Sequence, residues 1–284
     1  MKQHLPQPFR NLLRPLVYSV GRQFVGFPGR LALRGRGRLP ELLIIGAQKS
    51  GTTSLYDLLV TNDAFGKSAL KEVAFFDRFY NKGVGWYKRH FISNSSIMLD
   101  ATPDYLFDED TPRRIQETYS SPPKFIVMLR HPSERAISHY FHSRRLGFEP
   151  LSLSEALAQE KLRVTEQGNK TTLLSRRSNR SAYSYVSRGY YAEQISRWLS
   201  VFPRKNFYFI QSEKFFEEPA AYEADLCEFL GLENLDLGSG RRSNKGRYDA
   251  DIPRSVIEDL DKRFAGEPGR LEALTGLRVD WAMG

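Results

Sequence analysis

"LLIIGAQKSGTTSLYDLL", residues 42–59, is the stretch that decides the fold. Leu42 to Ile45 form an apolar run that reads as a buried strand, Gly46 opens a loop that also holds Gly51, and a helix begins near Thr53. Strand, glycine loop and helix in that order make a phosphate-binding turn. The glycines let backbone N–H groups converge on an anion, and the helix N-terminus adds a favourable dipole. The nucleotide-triphosphatase pattern G-x-x-x-x-G-K-[ST] places lysine directly after the second glycine. Here Thr52 occupies that place, and the lysine is Lys49, inside the loop. Lys49 and the hydroxyls of Ser50, Thr52 and Thr53, arranged around Gly51, are the candidate anion donors.

Outward from this stretch, strand-like runs recur at 41–46, 97–101, 124–129 and 207–211. Helical patterns fall near 53–61, 111–118, 133–145, 154–166, 191–201, 219–230 and 253–264. Pro112 suits the first turn of its helix, Ser133 is placed to cap another, and Gly147 and Gly231 are placed to end theirs. Apolar strands alternating with helices predict one α/β domain over residues 41–284, with a central parallel sheet covered by helices on both faces. The polar, serine-rich stretch 169–189 reads as a long surface loop near a site.

Residues 1–40 form a separate arm and linker. They carry eight Lys or Arg and no acid, out of a net charge of +9. The body is therefore nearly neutral, which argues against a broad nucleic-acid-binding face. Apolar residues at Phe9, Leu12, Leu13, Leu16, Val17, Val20 and Phe24 follow helical spacing, interrupted by Pro15, so the arm is either a peripheral membrane contact, a flexible arm or a helix packed on the body. No apolar run approaches the roughly eighteen residues of a membrane-spanning helix, and no secretory signal is seen. The single cysteine, Cys227, excludes an intrachain disulfide and reads as a buried, inert thiol on the inward face of a helix. The five histidines never fall in a strong metal spacing, so no metal is expected.

"KFIVMLRHPSERAISHYF", residues 124–141, ends its apolar run with Arg130, where a magnesium-using triphosphatase has an aspartate. Ser138 lies eight residues on, in the helix that follows. Together "GAQKSGTTSL" and "LRHPSERAISHY" resemble the sulfotransferases that use 3'-phosphoadenosine 5'-phosphosulfate (PAPS). The resemblance implies that Lys49, Ser50, Gly51, Thr52 and Thr53 grip the 5'-phosphosulfate, that Arg130 and Ser138 take the 3'-phosphate, and that no metal is needed. "KEVAFFDRFYNKGVGWY" (71–87), "DATPDYL" (100–106), "GYYAEQISRWLSVFP" (189–203) and "NKGR" (244–247) resemble, in the same order, segments of the heparan sulfate N- and 3-O-sulfotransferase branch.

By that resemblance Glu72 is the base that relieves the acceptor hydroxyl or amine of its proton as it attacks sulfur in line. Lys49 and Lys245 follow the charge that develops on the leaving phosphate, and Gly246 and Arg247 complete the nucleotide site. A carboxylate with an ordinary pKa of ~4.3 is a weak base at neutral pH, so partial burial would help it. The acceptor half departs from the branch. Ala74 stands where 3-O-sulfating enzymes have histidine, Ala101 where heparan enzymes have lysine, and the cysteines of their disulfide loop are missing. The acceptor stays open between a glycan, a lipid and a small hydroxylated molecule, and oligomeric state is not legible. With no anchor or disulfide in view, a cytoplasmic enzyme is expected. Two other classes stay open: a nucleotide kinase or triphosphatase, which wants lysine at 52 and aspartate near 130, and a non-catalytic polyanion- or membrane-binding protein driven by the arm.

Overall fold

The four apolar residues Leu42 to Ile45 alternate between two faces of one strand, and all are fully buried. Both faces of that strand must therefore be covered, which is the signature of a sheet between two helical layers. The computed structural model describes residues 37–166, 182–238 and 252–281. The basic arm up to residue 36, part of the serine-rich stretch and the "NKGR" segment lie outside the described residues. Residues 37–40 lie against the body, where the Arg38 N–H donates to the Phe91 carbonyl at 3.2 Å.

Five strands, β1 (Leu42–Gly46), β2 (Phe65–Lys67), β3 (Ile97–Ala101), β4 (Lys124–Leu129) and β5 (Phe207–Gln211), form one sheet in the order β2-β3-β1-β4-β5. Every pairing is parallel, so each crossover needs a connection across a face. Among the described residues the α-helices are α1 (Thr52–Leu59), α2 (Val84–Lys88), α3 (Thr111–Thr118), α4 (Pro132–Arg145), α5 (Leu153–Ala158), α6 (Tyr191–Leu199), α7 (Ser212–Glu217), α8 (Glu223–Leu230), α9 (Arg254–Phe264) and α10 (Glu267–Thr275).

The period-2 alternation of the strands sorts side chains into two cores. Leu43 and Ile45 of β1 and Phe125, Val127 and Leu129 of β4 meet an aromatic layer that includes Phe75, Phe76, Tyr87, Tyr105 and Trp198. Leu42, Ile44, Ile126 and Met128 meet α1, α7 and α8 through Leu55, Leu59, Phe215, Leu226 and Leu230. Each such fully buried side chain stabilises the fold by about 1.5–3 kcal/mol relative to exposure. A third cluster ties α4 to α5 and α9 through Ile137, Tyr140, Leu153, Leu260 and Phe264. β1 lies between β3 and β4, parallel to both, so the loops after β1, β3 and β4 open at a common carboxyl end, where α/β sheets bind ligands.

The four expected strands are present; the three-residue edge strand β2 is not legible because "FGK" carries no alternation. The helix expected at 133–145 begins one residue earlier at Pro132, with His131 as its N-cap. Ser133 is not a cap. It lies inside the first turn and its hydroxyl bonds to Asp261 of α9. Gly147 and Gly231 do end their helices, at φ 79 and 75. The single helix expected at 154–166 is broken into α5 and a π-turn, Leu162–Glu166. That expected at 219–230 begins as a 3-10 turn, Pro219–Tyr222, before α8. Cys227 is half-buried rather than buried.

The described end of the supposed surface loop is core instead: Ala182, Ser184, Tyr185, Val186, Arg188 and Gly189 are all buried. Serine-rich composition suggested solvent, but Ser184 and Ser187 bond to Arg188 and Glu160.

Candidate active site

The loop after β1 is held at both ends. The Ala47 N–H donates to the Met128 carbonyl of β4 at 2.7 Å, and the Ser212 hydroxyl of α7 donates to the Ser50 carbonyl at 2.7 Å. Between them Lys49 and Gly51 take left-handed conformations, φ 72 and 89. Changes of hand of this kind are those of backbone anion nests, although here the Ser50 N–H is spent on the Ala47 carbonyl at 3.1 Å. Glycine is required at 51 for a second reason, because a Cβ there would lie 2.4 Å from the Phe216 ring. Thr52 and Thr53 open α1, and first-turn N–H groups have no acceptor within their own helix. Ser50 and Thr52 are buried and Thr53 half-buried, so the candidate donors line the loop from within.

Cations converge on this loop. The Lys49 ammonium is lowered to about 8, first by burial and then by the nearby guanidinium groups of Arg145 and Arg130; Glu72 opposes them and Arg135 adds to them. Glu72 and Arg130, far apart from Lys49 in sequence, thus lie near enough to it to act on its charge. Arg130 follows β4 directly. Its Nε and Nη2 both bond Glu134 Oε2, at 3.1 and 2.6 Å, and its carbonyl accepts the Tyr191 hydroxyl at 2.9 Å. Ser138 is buried in α4. Arg135, Ser138, His142 and Arg145 follow one another at spacings of three and four, so they share one stripe of that helix.

Glu72 sits in an unusual backbone, with φ 57 at Glu72 and 56 at Ala74. The N–H groups that follow it are captured by side chains. Ala74 N–H donates to Thr102 Oγ1 at 3.3 Å, and Phe75 and Phe76 N–H donate to the Tyr105 hydroxyl at 2.9 and 3.4 Å. Ala74 and Ala101, the two departures from the heparan branch, are both buried.

Sequence reasoning named Arg130 and Ser138 but passed over two arginines. Arg135 is fully buried, its Nη2 bonding the Tyr185 carbonyl, while Nε and Nη1 find no partner among the described residues. Burial lowers its pKa to about 10, and such an orphaned cation suits an anionic ligand. Arg135 stands inside the quoted "RHPSERAIS" and was legible there; Arg145 was legible only as the end of the helical stripe. A buried ion network was also missed. Asp104 pairs with Arg78 and, at 3.0 Å, with Arg188, whose guanidinium lies 4.4 Å from the Phe107 ring centre. Burial raises Asp77 to about 7 although Arg78 lies 3.2 Å away. Lys245, Gly246 and Arg247 lie outside the described residues. Among the described residues no group of His, Cys, Asp and Glu is arranged to hold a metal, and no helix is long and apolar enough to cross a membrane.

Residues 39–243 match the sulfotransferase domain family. Heparan sulfate glucosamine 3-O-sulfotransferase 6 of Mus musculus is 28% identical over 272 residues, covering 87% of this chain and 75% of that protein. Heparan sulfate glucosamine 3-O-sulfotransferase 3A1 of Homo sapiens is 33% identical over 284 residues, covering 89% of this chain and 66% of that protein. The crystal structure of a sulfotransferase from Alicyclobacillus acidocaldarius superposes with a TM-score of 0.68 at 27% identity, over 85% of this chain and 98% of that one.

Proposed function

Because the chain belongs to the sulfotransferase family, we propose that it moves a sulfuryl group from PAPS to a hydroxyl of a glycan, with Glu72 as base. The observation that carries this reading is the gathering of Glu72, Arg130, Arg135 and Arg145 near enough to the Lys49 ammonium to act on its charge. A cation set of this kind, with two buried guanidinium donors left over on Arg135, fits a ligand bearing several phosphate or sulfate oxygens. PAPS supplies an activated sulfuryl group carried on a phosphate.

Lys49, the loop N–H groups and the α1 N-terminus would hold its 5' end, and Arg130 and Ser138 its 3'-phosphate. Arg130 would exchange Glu134, an exposed partner of small net worth, for that phosphate. Glu72 would take the acceptor proton. Lys49 would keep its charge where negative charge develops on the leaving oxygen, a contribution often worth about 3–4 kcal/mol at one preorganised donor. The glycan acceptor is inferred from the names of the relatives, and a cytoplasmic location remains part of the proposal. The alanines at 74 and 101 supply neither imidazole nor ammonium to an acceptor, so its charge must be met by other residues.

The test is calorimetric titration with 3'-phosphoadenosine 5'-phosphate (PAP) against ADP, without magnesium. Binding that needs the 3'-phosphate and collapses in Arg130→Ala supports the donor site and justifies a screen of glycan acceptors, with Glu72→Gln as the inactive control. Equal binding of ADP, or no binding of either, would overturn the reading.

A further inference from the structure

Asp100 is a buried carboxylate that the proposed chemistry does not use. It is the penultimate residue of β3, with no solvent exposure. Its Oδ2 accepts the hydroxyls of Tyr87 at 2.8 Å and Tyr105 at 3.1 Å, and its Oδ1 accepts the Thr102 hydroxyl at 2.9 Å. Val73 N–H adds a backbone bond to the same carboxylate. Burial pushes Asp100 up to about 6 and these bonds hold it down; both its oxygens only accept, as those of a carboxylate do.

Two of the three hydroxyls have a second duty. A hydroxyl has one proton. Thr102 and Tyr105 spend theirs on Asp100, which turns their lone pairs toward the Ala74, Phe75 and Phe76 N–H groups. Four consecutive N–H groups, Val73 to Phe76, therefore end on Asp100 directly or through one hydroxyl. They follow Glu72, whose own φ of 57 and that of Ala74 belong to a region costly for residues with a Cβ. Without a clamp the segment would relax. Tyr87 serves as an internal contrast, because it donates to the same oxygen and is equally buried but accepts none of these backbone N–H groups.

We propose that Asp100 is the positioning residue for Glu72, fixing its backbone beside Lys49 by setting the orientation of the Thr102 and Tyr105 hydroxyls. This rests on the reading of Glu72 as the base. Asp100→Asn is isosteric but presents an amide donor to at least one hydroxyl, which must then turn its proton toward the backbone N–H. Tyr105→Phe removes the hydroxyl and leaves the carboxylate.

The experiment compares Asp100→Asn, Tyr105→Phe and Tyr87→Phe for PAP release from PAPS, which reads turnover whether a glycan or water accepts the group. Donor KM, thermal unfolding and amide hydrogen exchange at 73–76 are measured beside it. Expected is a fall in kcat on the order of tenfold or more in the first two variants, a fraction of the general-base contribution. Donor KM should change by less than about twofold, exchange at 73–76 should quicken, and Tyr87→Phe should keep kcat within about threefold despite a comparable loss of stability. Loss of kcat in proportion to stability across all three variants, or retained kcat in Asp100→Asn and Tyr105→Phe, overturns the proposal. Glu72→Gln separates the two failures. If it turns over normally the base reading falls and takes this inference with it; if it is inactive while the clamp variants are not, only the inference falls.

Discussion

The lowered Lys49 pKa gives the proposed donor site a measurable alkaline limit. With a value of about 8, the ammonium is about ten-elevenths protonated at pH 7 and about one-eleventh at pH 9. The phosphates of PAP have their second pKa near ~6 and do not titrate over that interval. If the charged lysine is what grips the 5' end, PAP affinity falls about tenfold from pH 7 to pH 9, or ~1.4 kcal/mol. Calorimetric titration across that range in constant salt reads the effect directly. Lys49→Met should bind weakly and lose the pH dependence. Arg145→Gln carries the sharper test. Arg145 is the foremost charged cause of the depression, so its removal should move the limit to higher pH. A flat wild-type profile, or a limit that survives in Lys49→Met, would refute the assignment of Lys49.

Two further outcomes follow from the packing. Gly51→Ala places a Cβ 2.4 Å from the Phe216 ring at φ 89 and should cost about 2–3 kcal/mol in urea unfolding, beyond the left-handed penalty alone; a loss under about 1 kcal/mol would mean that the loop relaxes freely. Arg188→Met removes one of the cations paired with the buried Asp104 and should cost about 3 kcal/mol. A neutral result would show that the Asp104 carboxylate does not depend on Arg188.

Much of the sheet was legible because burial on both faces forces unbroken apolar runs, and those at 42–45, 125–129 and 207–210 are too short for helices and too apolar for an exposed face. The glycine loop between β1 and α1 was legible because glycine spacing is a local fact. Elements whose hydrophobic faces are short or mixed were not: β2 has three residues, and α10 carries Pro268 and Gly269 near its start. The buried stretch 182–189 was misjudged because polar residues satisfied by hydrogen bonds look the same in sequence as polar residues in water.

The chain by itself determined which groups are candidates for the chemistry: Lys49, Glu72, Arg130 and Ser138 each stand in a local motif. Only the tertiary structure decided which of them meet. The parallel order β2-β3-β1-β4-β5 brings the ends of β1, β3 and β4 together. It also brings Arg135 and Arg145 within electrostatic reach of Lys49 and closes Asp100, Thr102 and Tyr105 around the segment after Glu72. Charge acts through distance and dielectric, and sequence separation fixes neither once the chain crosses the sheet.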